Sequence, residues 1–124
     1  MIAIVCGGMD FTDAARMKAV MDKAVHTLGL EIIIEGGAKG ADTLAYEWAL
    51  AAGISIIRVP ANWDKHGNAA GPIRNALMLR ILLGGDKDTK RAVFAFPGGA
   101  GTKHMVGLAT SPEARMGRVR LIEL

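Results

Sequence analysis

One cysteine among 124 residues leaves no internal disulfide framework and no zinc site built on several thiols. The scattered His, Asp and Cys show no metal-ligand spacing, so no metal is expected. Aromatic residues make up 5% of the chain, too few for an extended platform that stacks single-stranded bases. No apolar run approaches the roughly 20 residues that a bilayer span requires. The opening MIAIVCGGMD carries no basic leader and no cleavage site, so no secretory signal is expected. These absences point to a cytoplasmic protein without a membrane partner.

What is present suits a single folded domain over residues 1–124. Hydrophobic residues reach 51% and the net charge is only +3, a balance that excludes a disordered chain. Charge is unevenly spread. Residues 1–62 hold five basic and seven acidic groups and residues 63–124 hold ten and five, so the halves stand at −2 and +5. The basic half is the only support for a nucleic-acid partner, and without clustered base-stacking aromatics a solvated basic face is the favoured explanation of it.

Short apolar runs alternate with helical patterns. Ile2–Cys6, Ile32–Ile34, Ile54–Val59, Ala92–Phe96 and Val119–Ile122 read as strands, rich in Ile, Val and Phe. Most are continuous rather than alternating, as a sheet covered on both faces demands. Ala14, Met17, Met21, Ala24 and Leu28 recur at helical spacing, with Thr12 as N-cap and Gly29 as stop. A second helix spans Ala41 to Ala52, a third runs from Pro72 to Leu83, and a fourth follows Gly101 and stops near Ser111-Pro112. Strands alternating with helices predict an α/β fold with a parallel sheet and right-handed crossovers. The stretch Ala61–Gly71 has no periodicity and reads as a long loop, of the kind that is more often functional than idle.

Chemistry enters where three strands end. Cys6-Gly7-Gly8-Met9-Asp10-Phe11 follows the first strand, Glu35-Gly36-Gly37-Ala38-Lys39-Gly40-Ala41-Asp42 the second, and Phe96-Pro97-Gly98-Gly99-Ala100-Gly101-Thr102 the fourth. In a parallel sheet all three lie at the carboxyl edge and open onto helix N-termini, where free N–H groups and the helix dipole favour an anion. A tight strand-to-helix turn explains any one of them; the three together point to a ligand bearing phosphate. No standard nucleotide fingerprint is present. Gly99-Ala100-Gly101 is followed by His104 where a dinucleotide motif needs glycine, and no GxxxxGK[ST] exists.

Polar residues beside these turns complete the candidate site. Lys39 meets a phosphate as a point charge or faces solvent. Asp10 and Asp42 stand where a ribose hydroxyl is held, or Asp42 simply sits favourably at a helix start. Arg74 and Asn75 open the third helix; an arginine there opposes the helix dipole, which suggests a fork for phosphate or carboxylate. Trp63, Asp64 and His66 wall a base or sugar, or Trp63 anchors its loop. His104 faces the ligand or is an exposed histidine. Cys6 reads as a small core thiol.

The blocks CGGMDFTD, GGAKGAD, PANWDKHGNAAGPIRNALM and AFPGGAGTKHM, in this order, resemble the YspA-like branch of the SLOG superfamily over nearly the whole chain. That superfamily also contains the Lonely Guy phosphoribohydrolases and the Rossmann-like domain of DNA-processing protein A. The resemblance implies a Rossmann-like three-layer sandwich with a five-stranded parallel sheet ordered 3-2-1-4-5, and a nucleotide or nucleotide-derived ligand. Pro97-Gly98-Gly99-Ala100-Gly101-Thr102 is similar to the PGGxGT phosphate loop of the Lonely Guy enzymes. Those enzymes place a catalytic glutamate where this chain has Met105, and a thioether neither stabilises an oxocarbenium ion nor moves a proton. Lys39 stands where many relatives carry arginine.

The expected ligand-binding set is therefore Gly7, Gly8, Asp10, Phe11, Gly36, Gly37, Lys39, Gly40, Asp42, Arg74, Asn75, Pro97, Gly98, Gly99, Gly101 and Thr102. No cofactor is required beyond a nucleotide-type ligand. Two other readings stand beside ligand binding: a nucleotide N-glycosidase using Asp10 or Asp42, and a DNA-associated module. The third helix crowds Leu77, Met78, Leu79, Ile81, Leu82 and Leu83 into seven positions, a wider stripe than one core-facing side needs. Self-association through Leu77, Met78, Ile81 and Leu82 is the corresponding expectation.

Overall fold

The computed structural model describes residues 1–124. In chain order the elements are β1 (Ile2–Cys6), α1 (Ala14–Leu28), β2 (Ile32–Glu35), α2 (Ala41–Ala52), β3 (Ser55–Arg58), α3 (Trp63–His66), a 3₁₀ turn at Gly67–Ala69, α4 (Ala70–Leu83), β4 (Arg91–Ala95), α5 (Ala100–Ala109), α6 (Pro112–Met116) and β5 (Arg120–Glu123). The strands form one five-stranded sheet ordered β3-β2-β1-β4-β5, with every pairing parallel. This is the α/β, Rossmann-like arrangement expected from the sequence.

The central strands β1, β2 and β4 are buried on both faces, while the edge strands β3 and β5 are partly exposed. Ala3 and Val5 of β1 join a core with Met17, Met21 and Ala24 of α1 and Ala45 and Trp48 of α2. Ile4 and Cys6, pointing the other way, join Met78, Leu79 and Leu82 of α4, Met105 and Ala109 of α5 and Ala114 of α6. Successive residues of one strand thus feed two separate cores, which is why no polar position interrupts the run. No helix is long and apolar enough to cross a membrane.

Several boundaries differ from the sequence reading. Asp13, not Thr12, caps α1, because its carboxylate accepts the Arg16 N–H at 3.0 Å. α4 begins at Ala70 rather than Pro72, fed directly by the 3₁₀ turn. The stretch expected to be a loop contains α3, with the Asn62 side chain accepting from the Lys65 N–H. Ser111-Pro112 starts a helix as well as ending one. Ser111 Oγ accepts from the Ala114 N–H and Pro112 takes the first turn of α6, where its missing N–H costs nothing.

The expected association face is also corrected. Met78 and Leu82 are buried among Ile4, Ile34, Val93 and Met105, so the chain's own sheet consumes that side of α4. Ile81 is half-buried against the same core, and Leu77 remains exposed.

Candidate functional site

Because every strand runs the same way, the turns after β1, β2 and β4 all reach the carboxyl edge of the sheet. A cleft of about 1060 Å³ opens there. Its floor is the β1 and β4 turns, and one wall is the start of α4 with Trp63 of α3.

The β1 and β4 turns touch through their backbones. The Gly8 N–H donates to the Pro97 carbonyl at 2.8 Å. A Cβ on Gly8 would stand 3.0 Å from Gly98 Cα, and one on Gly98 would stand 2.6 Å from Gly8 N. Two side chains cannot share that space, so glycine at both positions is a condition of the contact. The Gly8 carbonyl accepts from the N–H groups of Phe11 and Ala41, which also fixes the start of α2 on the same rim.

Gly99 is the N-cap of α5 and no side chain caps it. The first-turn N–H groups of this helix, which have no intrahelical acceptor, belong to residues lining the cleft from Gly99 to Thr102. Above them stands Arg74, half-buried, whose Nη1 donates to the Gly36 carbonyl at 2.7 Å and whose Nε donates to Asn75 Oδ1 at 3.0 Å. The rest of its fork is left to the cleft. Asn75 is 4% exposed and donates through Nδ2 to the Gly101 carbonyl and to His104 Nδ1.

The β2 turn behaves differently from the other two. Gly36, Gly37, Lys39 and Gly40 do not line the cleft, whereas Ala38 and Asp42 do. In addition, the N–H groups of Gly37 and Ala38 are taken by the turn's own acids. Gly37 donates to both oxygens of buried Glu35, and Ala38 donates to Asp42 Oδ2 at 3.1 Å. Arg58 Nε completes the Glu35 site at 2.6 Å, with its guanidinium 4.1 Å above the Tyr46 ring. Burial raises the Glu35 carboxyl above its ordinary value, against the lowering pull of Arg58. Lys39 is exposed on the outside of the turn.

The remaining candidates divide by environment. Asp42 lies in the cleft wall, its carboxyl raised by burial and held down in part by the Ala38 N–H and Arg74. Asp10 also lines the cleft but is exposed. Burial, with the Asp42 charge nearby, pushes the Cys6 thiol up to about 12, so it is a core thiol and not a nucleophile. Phe11 lines the cleft with its ring 5.1 Å from that of Phe96. Trp63 does not anchor its loop internally; it is 59% exposed and faces the cleft. Gly7, Pro97 and His104 line it too. Sequence reasoning missed Asn68, Pro72 and Met78 as lining residues, since none carries a signal without the fold. No group of three or more His, Cys, Asp or Glu residues is placed to hold a metal ion.

A model of the YspA, cpYpsA-related SLOG family matches residues 1–66, just over half of the chain. The chain belongs to this family. The match covers the β1 and β2 turns of the SLOG fold and ends at His66, ahead of Arg74, Asn75 and the Gly98–Thr102 turn. Among curated proteins, the chain is similar to the Gene 61 protein of Mycobacterium phage D29, 36% identical over 80 residues. That alignment covers 59% of this chain and 58% of the phage protein, so the chain spans under two thirds of that relative's length. No solved structure matches the chain.

Proposed function

We propose that this SLOG domain binds a nucleotide or nucleotide-derived ligand in the cleft, by its phosphate. The phosphate sits over Gly98–Thr102, with Arg74 closing from α4 and the base or sugar reaching toward Trp63 and Phe11. Family membership is consistent with a nucleotide-related ligand. The observation that carries the reading is the uncapped N-terminus of α5 lying opposite an arginine whose fork is only half engaged, inside one cleft. The Gly36–Gly40 turn, whose amides serve Glu35 and Asp42, supports the site from behind instead of holding the anion.

Thermal-shift measurements with AMP, ADP-ribose, NAD and cyclic dinucleotides test this. Stabilisation by at least one of them, lost in Arg74→Ala, is the expected result. No response to any phosphorylated compound overturns the proposal.

A second reading is cleavage of the N-glycosidic bond of a bound nucleoside monophosphate. It is favoured by one observation, a cleft carboxyl at Asp42 raised by burial, as general acids often are. Release of free base from AMP, abolished in Asp42→Asn, would establish it.

A further inference from the structure

Asn75 links two residues of the cleft, and the chemistry of its three partners fixes more than their positions. Arg74 Nε is always a donor, so the Asn75 atom it meets at 3.0 Å is the carbonyl oxygen Oδ1. The amide nitrogen Nδ2 therefore points the other way, toward the Gly101 carbonyl at 3.2 Å and His104 Nδ1 at 3.1 Å. Nδ2 has no lone pair to offer, so His104 Nδ1 must be the acceptor. A neutral imidazole that accepts at Nδ1 carries its proton at Nε2.

The amide flip that is ordinarily open for an asparagine is closed here by the arginine, and the histidine tautomer follows from it. His104 belongs to the first turns of α5 and lines the same cleft as Arg74 and Gly98–Thr102. With Nδ1 occupied by Asn75, Nε2–H is the ring group left for a bound molecule. One buried amide thus sets two donors, from α4 and from α5, on a single cleft.

We infer that His104 is a ligand-binding residue that donates its Nε2–H to a phosphate oxygen, and that Asn75 is the positioning residue that fixes this tautomer while aiming Arg74. This rests on the phosphate reading above. It also narrows the ligand class. The open helix amides, Arg74 and His104 are all donors, which matches a terminal phosphate monoester rich in free acceptor oxygens better than a neutral head.

The ring is read directly, without ligand, by long-range proton–nitrogen correlation NMR on the full chain. The chain has three histidines, and the signal missing from His104→Gln identifies this one. The expected wild-type signature is an Nε2–H ring. Asn75→Asp keeps an acceptor for Arg74 but replaces the donor facing His104, so the ring proton is expected to move to Nδ1. A role of Asn75 in packing alone would not move it. AMP titration supplies the second arm. His104→Ala is expected to bind AMP about ten- to a hundredfold more weakly, the range for a hydrogen bond to a charged acceptor. His104→Gln, which restores an N–H near the Nε2 position, is expected to recover most of that loss. An Nδ1–H ring in the free wild-type protein overturns the inference, and so does a His104→Ala that binds AMP as tightly as wild type. Wild-type protein that answers to NAD or a cyclic dinucleotide but to neither AMP nor inorganic phosphate overturns this inference alone, whereas silence to every phosphorylated compound overturns the phosphate reading itself, and the part of His104 falls with it.

Discussion

Arg91 begins β4 with a buried guanidinium whose partners are main-chain carbonyls, those of Leu82, Gly85, Asp86, Thr89 and Gly117. The planar fork reaches the end of α4, the connection into β4 and the turn after α6 at once, at the opposite end of β4 from the cleft. Arg91→Met removes every one of these donors and is expected to cost about 3 kcal/mol in urea unfolding, as buried carbonyls lose their partners. Arg91→Lys should recover less than half, because an ammonium is a compact point charge without the fork. Cys6 makes a contrasting prediction at the same scale. It lies in the cleft floor, yet its thiol is pushed up to about 12, so a thiol reagent at mildly alkaline pH should leave it unlabelled until the protein unfolds. Labelling at the rate of a free cysteine in the native protein would contradict the burial that sets this shift.

At the scale of elements, the contact of the β1 and β4 turns depends on glycine in a way that the helix glycines do not. In Gly98→Ala the new Cβ meets Gly8 N at 2.6 Å and Gly7 C at 2.9 Å, both backbone atoms that cannot swing aside. The turns must separate, and the expected outcome is a loss of about 1–3 kcal/mol together with the AMP-induced thermal shift. Gly107, in the body of α5, has open space where a Cβ would stand, with nothing within 4 Å. Gly107→Ala should raise stability by about 0.5–1 kcal/mol, seen as a melting temperature a few degrees higher. The strands and the edge that carries the turns were legible in the residues, because burial in a parallel sheet writes itself as continuous Ile, Val and Phe; the strand order was legible only through the resemblance to the SLOG superfamily. Short elements were not. α3 and α6 are too brief to show a period, and Ser111-Pro112 signals a helix start as well as a stop. The β2 turn misled for a different reason. Its glycines look like those of the β4 turn, and only the folded chain reveals that Glu35 and Asp42 consume its N–H groups. Asn75 was recognised as a site residue, but its link to His104 spans two helices and leaves no mark on local sequence.

Across the whole molecule, the unusual feature is that burial holds two carboxyls, Glu35 and Asp42, above their ordinary values. Both stand on the β2 turn and α2, and Asp42 faces the cleft. A carboxyl whose folded value is raised binds protons more readily in the native state than in the unfolded chain. Its contribution to stability therefore falls as pH climbs from the ordinary carboxyl value through the raised one, the reverse of an ion-paired acid. Asp22 runs the other way. The hydrogen bonds from Lys18 and Trp48 hold its carboxyl low, so its contribution is present at neutral pH and is lost on acidification. Asp42→Asn isolates the first effect, since the amide oxygen still accepts from the Ala38 N–H but no longer titrates. Urea midpoints of wild type and Asp42→Asn at about pH 4 and about pH 7 provide the check. The variant should gain on wild type between the lower and the higher pH, because only wild type must ionise a buried acid along the way. A variant that instead loses ground to wild type as pH rises would mean that the Ala38 N–H and Arg74 outweigh burial at this carboxyl, and Asp42 would then be an anion poised to repel phosphate from the cleft.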